Sequence, residues 1–257
     1  MVNNMNISAI IQARTGSSRL PNKTIEFFEG KTLLGHIIQR VKLCKSLDSI
    51  ILATTSNYSD DCLSDIAKKE KILIYRGSEN DVLDRYYRAA KEFGTEIIVR
   101  ITSDDPFKDP TIVDKAVDFF QKLLPEIDIV TNYLPPTYPE GLDIEVFSFS
   151  ALEKAWQEAR KQSEREHVST YIYKNSSLFQ HFNFIHKESD LSHLRWTIDY
   201  AADMEFTKRV YAEIYPHKPD FSWKDVLDLV NQFPDLQAMN SHIIRNEGLK
   251  KSEMLES

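Results

Sequence analysis

Glycine is scarce in this chain, with seven in 257 residues, and Gly16 is the only one in the cation-rich stretch near the N-terminus. That shortage excludes a Walker-type phosphate loop there, which needs G-x-x-x-x-G-K-[ST], and a G-x-G-x-x-G dinucleotide fingerprint. Cysteine is nearly absent. Cys44 and Cys62 have neither metal-site nor disulfide-framework spacing, and read as free thiols of a reducing cytoplasm. Cations are outnumbered, 32 Lys and Arg against 39 Asp and Glu, for a net charge of −7. A broad nucleic-acid footprint is thereby excluded, and an anionic ligand has to be met by a local concentration of cations. No apolar run approaches a membrane span, and the opening MVNNMN lacks the basic-then-apolar order of a signal peptide. The expectation is a cytoplasmic globular protein with no membrane partner.

What is present is alternation. Strand patterns at Ile7–Ile11, Ser49–Ala53, Ile72–Tyr75, Glu96–Ile101 and Ile127–Val130 are separated by helical patterns at Lys31–Ser46, Tyr58–Lys69, Asp81–Phe93 and Pro110–Leu124. Ser59 suits the N-cap of the second helix and Pro110 the first residue of the fourth. This order implies an α/β fold, a mostly parallel sheet with helices on both faces. From Leu134 the pattern changes to a loop rich in Pro, Gly and Tyr. Strands are expected at Asp143–Phe149, in LFQHFNF and in LRWTID, with helices at Ser150–Lys161, Glu164–Asn175, Ala201–Ile214 and Trp223–Asn231. The expected organisation is one domain over 5–245, with a substrate-facing and dimerisation lobe over about 134–195 and a polar tail over 246–257.

Three segments at strand exits carry charge. The first, ARTGSSRLPNK, combines Arg14, Arg19 and Lys23 with Ser17 and Ser18. Exposed backbone N–H groups and Arg or Lys side chains are what phosphates need, and Gly16 would let the backbone approach closely. A solvated surface loop is the alternative. The second, VRITSDDPF, places Asp104 and Asp105 directly after a strand. A carboxylate there can hold a magnesium ion bridging nucleotide phosphates, or simply stabilise a turn. Adjacent residues of an extended chain point to opposite sides, so one of the pair is expected to coordinate. The third, LRWTIDYAADMEF, ends an apolar stretch at Asp199, with Asp203 in the first turn of the next helix. Asp199 could be a metal ligand or an N-cap, whereas Asp203 reads as an acid favoured by the helix dipole. Together, a cationic loop and two aspartates meet the needs of nucleotidyl transfer, where positioning and charge stabilisation matter more than a strong base. These residues by themselves indicate a nucleoside triphosphate, not its base.

AIIQARTGSSRLPNK resembles the N-terminal signature of cytidylyltransferases of the acylneuraminate and 3-deoxy-manno-octulosonate type. RITSDDPF is similar to that family's R-x-x-x-D-x-P segment, and TIDYAADMEFTKRV to its late D-x-x-x-D-x-E segment. YPEGLDIEVFSFSALEKAW, REHVSTYIY and DLSHLRWTID resemble the branch associated with spore-coat polysaccharide biosynthesis. The resemblance spans about residues 5 to 215. It implies a nucleotide-diphospho-sugar transferase-like fold, a homodimer, and Mg2+-dependent coupling of CTP to a small sugar-like or acidic acceptor for surface-glycan synthesis. It places Gln12, Ala13, Arg14, Gly16, Ser17, Ser18, Arg19, Lys23, Asp84, Arg85, Arg100, Thr102 and Ser103 on the nucleotide. Arg14, Arg19, Lys23 and Asp104 would be the catalytic set, and Asp104 and Asp199 the metal ligands. RGSENDVLDRYYRAA keeps only the end of the octulosonate enzymes' T-D-R segment, at Asp84 and Arg85.

Tyr138, Glu140, Asp143 and Glu145 come from one loop and strand, Asp143 and Glu145 on the same side of it. With Arg165, His167 and Arg195 they are the candidate acceptor-binding residues. Arg165 and His167 could hold an anionic group, or His167 could assist deprotonation; a solvated helix start and a structural histidine are the bland alternatives. Tyr171, Tyr173 and Trp156 read as core or interface. Two rival functions remain: a glycosyltransferase using a nucleotide-diphosphate sugar, with SDDP as its metal motif, and a nucleotide-binding protein without turnover.

Overall fold

The computed structural model describes residues 5–245 together with Glu247 and Met254; the rest of the tail expected over 246–257 lies outside the described residues. The strands are β1 (Ile7–Gln12), β2 (Phe27–Phe28), β3 (Lys31–Thr32), β4 (Ser49–Thr55), β5 (Leu73–Gly77), β6 (Ile97–Thr102), β7 (Ile129–Thr131), β8 (Glu145–Ser148) and β9 (His181–Asn183). The helices are α1 (Leu33–Val41), α2 (Asp61–Lys69), α3 (Val82–Glu92), α4 (Pro110–Leu123), α5 (Phe149–Glu158), α6 (Gln162–Glu166), α7 (Thr170–Lys174), α8 (Ala201–Ile214), α9 (Trp223–Gln232) and α10 (Pro234–Ala238).

Seven strands make one sheet in the order β5-β4-β1-β6-β8-β7-β9, in which only β8 runs antiparallel to its neighbours. β1 is buried on both faces, and its alternation divides the core. Ile7, Ala9 and Ile11 pack with α1, α2, α4, α8 and α9, while Ile10 packs with α3, α5 and α7. The chain leaves β1 toward β4 and β5, then returns to the other side of β1 as β6. Strand order thus reverses between β1 and β6, so the loops leaving these two strands flank a crevice at their carboxyl ends. β8 and β9, both from the 134–195 stretch, extend this same sheet.

The differences from the sequence expectations have local causes. α1 begins at Leu33, because Lys31–Thr32 pair with Phe27–Phe28 and the Thr32 hydroxyl accepts the Gly35 N–H. Ser59 is not the N-cap of α2. It lies in a 3-10 turn, Tyr58–Asp60, and the helix starts at Asp61. The helix expected over Glu164–Asn175 is two, broken at His167–Ser169, where Val168 has φ 29°. The Ser169 hydroxyl there donates to Glu145 at 2.8 Å, a tertiary bond that overrides local helical preference. β8 starts at Glu145, not Asp143. LRWTID forms no strand; it makes a single bridge, Arg195 to Glu140. That bridge requires Gly141, whose φ is +100° and whose Cβ would lie 2.7 Å from the Trp196 carbonyl oxygen.

Candidate active site

The loop after β1 is held by bonds to its own backbone and to the 3-10 turn before α2. Asp60 accepts the Thr15 N–H at 2.8 Å and the Thr15 hydroxyl at 2.7 Å, and its other oxygen accepts the Thr55 hydroxyl. Burial raises the Asp60 pKa, but these donors outweigh it and hold the carboxyl below its ordinary value. The Thr15 carbonyl accepts from Ser17 and Asn22, and Asn22 turns the chain at φ 63° into a 3-10 turn at Lys23–Ile25. Lys23 is consequently buried, 8% exposed, although it is a lysine in a polar loop.

Its ammonium occupies the centre of the crevice. Nζ lies 3.3 Å from Asp104 Oδ2, 3.3 Å from Asp199 Oδ1 and 2.5 Å from the Ile198 carbonyl oxygen. Arg19 Nη2 donates to the same Asp199 oxygen at 2.5 Å. Burial raises the Asp104 pKa, yet the charge of Lys23 and the Thr102 hydroxyl hold it below its ordinary value. Asp105 borders the same cavity as Asp104, so the two do not face opposite sides as expected; its carboxylate is taken by Thr102 at 2.8 Å and Lys108 at 2.9 Å. Burial, against Lys108 and with the Asp104 charge, raises it. The adjacent aspartates are therefore shifted in opposite directions.

Two cavities meet at this centre, and Arg19 and His167 line both. The larger, about 540 Å³, carries Gln12, Ala13, Arg14, Ser17, Ser18, Lys23, Arg85 and Ser103 from the sequence-derived nucleotide set. The smaller, about 210 Å³, carries Glu140, Asp143 and Glu145, with Asp104 and Asp199 at its mouth and Arg100 and Thr102 on its wall. Arg100 donates to Glu145 at 3.0 Å and reaches Gln12 at 3.3 Å, so it links the two compartments. Burial drives the Asp143 carboxyl up to about 7, although Arg245 opposes it.

Several expected site residues fall elsewhere. Arg165 lines neither cavity; its guanidinium binds Asp81 at 2.5 and 3.0 Å and the Trp156 carbonyl, tying α6 to the start of α3. Asp84 is taken by Arg88 and the Trp156 indole N–H. Tyr138 is 3% exposed and packs among Phe184, His186 and Trp223. Arg195 is buried behind the acids, binding Glu140, Asp199 and Asp203. Gly16 has ordinary φ, and a Cβ there would meet only Glu79 at 3.5 Å, so the conformation does not demand glycine. Asp199 does not cap α8; Tyr200 does, and Asp203 accepts its backbone N–H. Conversely, Lys108, Tyr133, Ser169, Thr170 and Tyr173 line the smaller cavity and Glu79 and Asn80 the larger, none of them a site candidate in the sequence. The close i, i+3 pairing of Asp105 and Lys108 was the one legible signal. Tyr173 reads as core until the break before α7 turns it inward.

The residues present suit magnesium. No cluster of three or more potential ligands occurs among the described residues. Two carboxylates converge on one ammonium, each partly open, with side-chain exposures of 30% for Asp104 and 15% for Asp199. Mg2+ is commonly bound by one or two carboxylates, its remaining positions taken by phosphate oxygens and water.

A family model described as Cytidylyltransferase matches residues 8–231. The spore coat polysaccharide biosynthesis protein SpsF of Bacillus subtilis is 30% identical over 232 residues, 88% of this chain and 94% of that protein. A solved cytidylyltransferase from Leptospira borgpetersenii is 36% identical, superposes with a TM-score of 0.87, and is matched over 91% of this chain and 97% of that one. The same fold recurs, at 16% identity and a TM-score of 0.62, in a CMP:2-keto-3-deoxy-manno-octonic acid synthetase complexed with CTP, over 81% of this chain and 99% of that one. Together with a cationic loop and two aspartates converging at the sheet's switch point, these matches establish that the chain belongs to the cytidylyltransferase family.

Proposed function

We propose that this enzyme transfers CMP from CTP to a hydroxyl of a small sugar-like or acidic acceptor, with Mg2+ as cofactor, in the cytoplasm where CTP is made. The observation that carries the reading is the Lys23 ammonium, 3.3 Å from both Asp104 and Asp199 where the two cavities join. The larger cavity takes the nucleotide, and Arg14, Arg19 and Lys23 neutralise its phosphates. The smaller takes the acceptor, whose hydroxyl oxygen attacks the α-phosphorus from the side of Asp143 and Glu145. The α–β bond breaks in line and pyrophosphate leaves along the cationic loop. Asp104 and Asp199 would hold Mg2+, which supplies charge neutralisation on the phosphate oxygens. The spore-coat role named for the Bacillus relative supports a glycan destination. Leu134, Leu178 and Ile185 of the 134–195 stretch are 43–46% exposed, and a homodimer through this stretch would cover exposed apolar side chains.

A pyrophosphate-release screen tests this directly, pairing each of four nucleoside triphosphates with sugar acids, sugar phosphates, polyol phosphates and amino acids. CTP with one acceptor class is expected to release pyrophosphate. Release from none, with CTP still bound, indicates a silent binder, and turnover of a nucleotide-diphosphate sugar instead indicates a glycosyltransferase. Asp104→Asn is expected to lower the rate on the order of 100-fold or more while leaving the Tm nearly unchanged. A near-normal rate removes Asp104 from the metal site.

A further inference from the structure

We infer that Asn240, Asp203 and Arg195 form a positioning unit that fixes Asp199, bringing the segment beyond the family-matched residues 8–231 into the working site. The inference rests on Asp199 serving as a metal ligand. Asp199 needs outside support, because it belongs to no strand or helix. Its carboxylate is shared between two sides. Oδ1 meets Arg19 and Lys23 at the crevice, while Oδ2 accepts from Arg195 Nη2 at 3.2 Å. Its backbone N–H donates to Asp203 Oδ2 at 2.9 Å.

Asp203 is fully buried and never reaches either cavity. It accepts from Arg195 Nε and Nη2 at 2.9 and 3.1 Å, from the N–H groups of Asp199 and Tyr200, and from Asn240 Nδ2 at 2.9 Å. The same Asn240 nitrogen donates to the Arg195 carbonyl oxygen at 3.0 Å. Asn240, 2% exposed, thus ties the backbone of Arg195 to the carboxylate that its own guanidinium grips. The guanidinium already faces three carboxylates, those of Glu140, Asp199 and Asp203. A neutral donor at 240 completes the set without adding charge, whereas a removed donor leaves Asp203 short of a bond and frees Arg195 to shift. Mg2+ tolerates little error in its ligands, and groups that orient ligands typically influence metal affinity 10- to 100-fold.

The test titrates Mn2+ into the protein–CTP complex, following free Mn2+ by electron paramagnetic resonance, with CTP affinity in EDTA and Tm measured alongside. Asn240→Leu is expected to weaken Mn2+ binding about 10-fold with metal-free CTP affinity unchanged, and Asn240→Ser, which keeps one donor, to weaken it less. Asn240→Leu added to Asp199→Asn is expected to cause no further loss, because the first acts through the second. Wild-type Mn2+ affinity in Asn240→Leu, or in Asn240→Ser and Asn240→Ala if Asn240→Leu does not fold, overturns the proposal, provided Asp199→Asn itself loses the metal. If Asp199→Asn binds Mn2+ as the wild type does, the metal reading of Asp199 fails first and the proposal falls with it.

Discussion

At the residue scale, what separates a site cation from a structural one is the company it keeps. Arg19 and Arg165 both make a 2.5 Å contact with an aspartate. Arg19 makes its contact at the mouth of two cavities, and Arg165 makes its contact between α3 and α6. Arg19→Ala is therefore expected to weaken CTP binding about 10-fold, the worth of one charge-assisted phosphate contact, with little change in Tm. Arg165→Ala is expected to leave CTP affinity unchanged and to lower stability by about 1 kcal/mol, measured by calorimetric titration and urea unfolding. The reverse pattern would exchange their roles. Both were candidates in the sequence, because residue type and a nearby strand or helix start look the same in one dimension.

At the scale of elements, the cationic loop after β1 owes its shape to the 3-10 turn that precedes α2. Asp60 stands one residue before that helix and spends its carboxylate on Thr15 and Thr55 instead of on the helix N-terminus. Asp60→Ala leaves the Thr15 N–H and hydroxyl without their acceptor. It is expected to cost about 2–3 kcal/mol of stability and to weaken CTP binding, though Asp60 itself touches no cavity. Unaltered CTP affinity would mean that the loop keeps its form without this anchor. The sequence placed a helix here correctly but assigned its cap to Ser59, since cap preferences are local and the bond to Thr15 is not. The same cause divided the helix over Glu164–Asn175. Its pattern is helical throughout, and only the meeting of Ser169 with Glu145 marks the break.

At the scale of the whole molecule, the core carries an acid-sensitive element away from the site. His36 of α1 is 1% exposed, faces Phe28 and Tyr211, and bonds the Phe28 carbonyl through Nε2 at 2.9 Å. Burial lowers its pKa from 6.5 to about 4, with Lys31 and Arg40 acting in the same direction against the Phe28 bond. The unfolded chain takes up a proton below about pH 6.5, and the folded chain only below about 4. The stability contributed by the neutral ring is therefore complete above that range and is lost as pH falls through it, on the order of 3 kcal/mol by pH 4. Urea midpoints between pH 7 and 4 should fall more steeply for the wild type than for His36→Gln, and parallel slopes would show that His36 does not titrate as its burial requires.

Periodicity and strand-end chemistry, which are local, sufficed to determine an α/β fold and the candidacy of the cationic loop at Arg14–Lys23, of Asp104 and of Asp199. Tertiary structure alone decided which charges meet. It buried Lys23 between two aspartates 81 and 176 residues away in sequence. It also paired Asp105 with Lys108, moved Arg165, Asp84 and Tyr138 out of the site, and brought Tyr173 and Asn240 to it or behind it. The physical reason is range: helix and strand preferences act over a few residues, whereas the partner of a buried charge is set by how the elements pack.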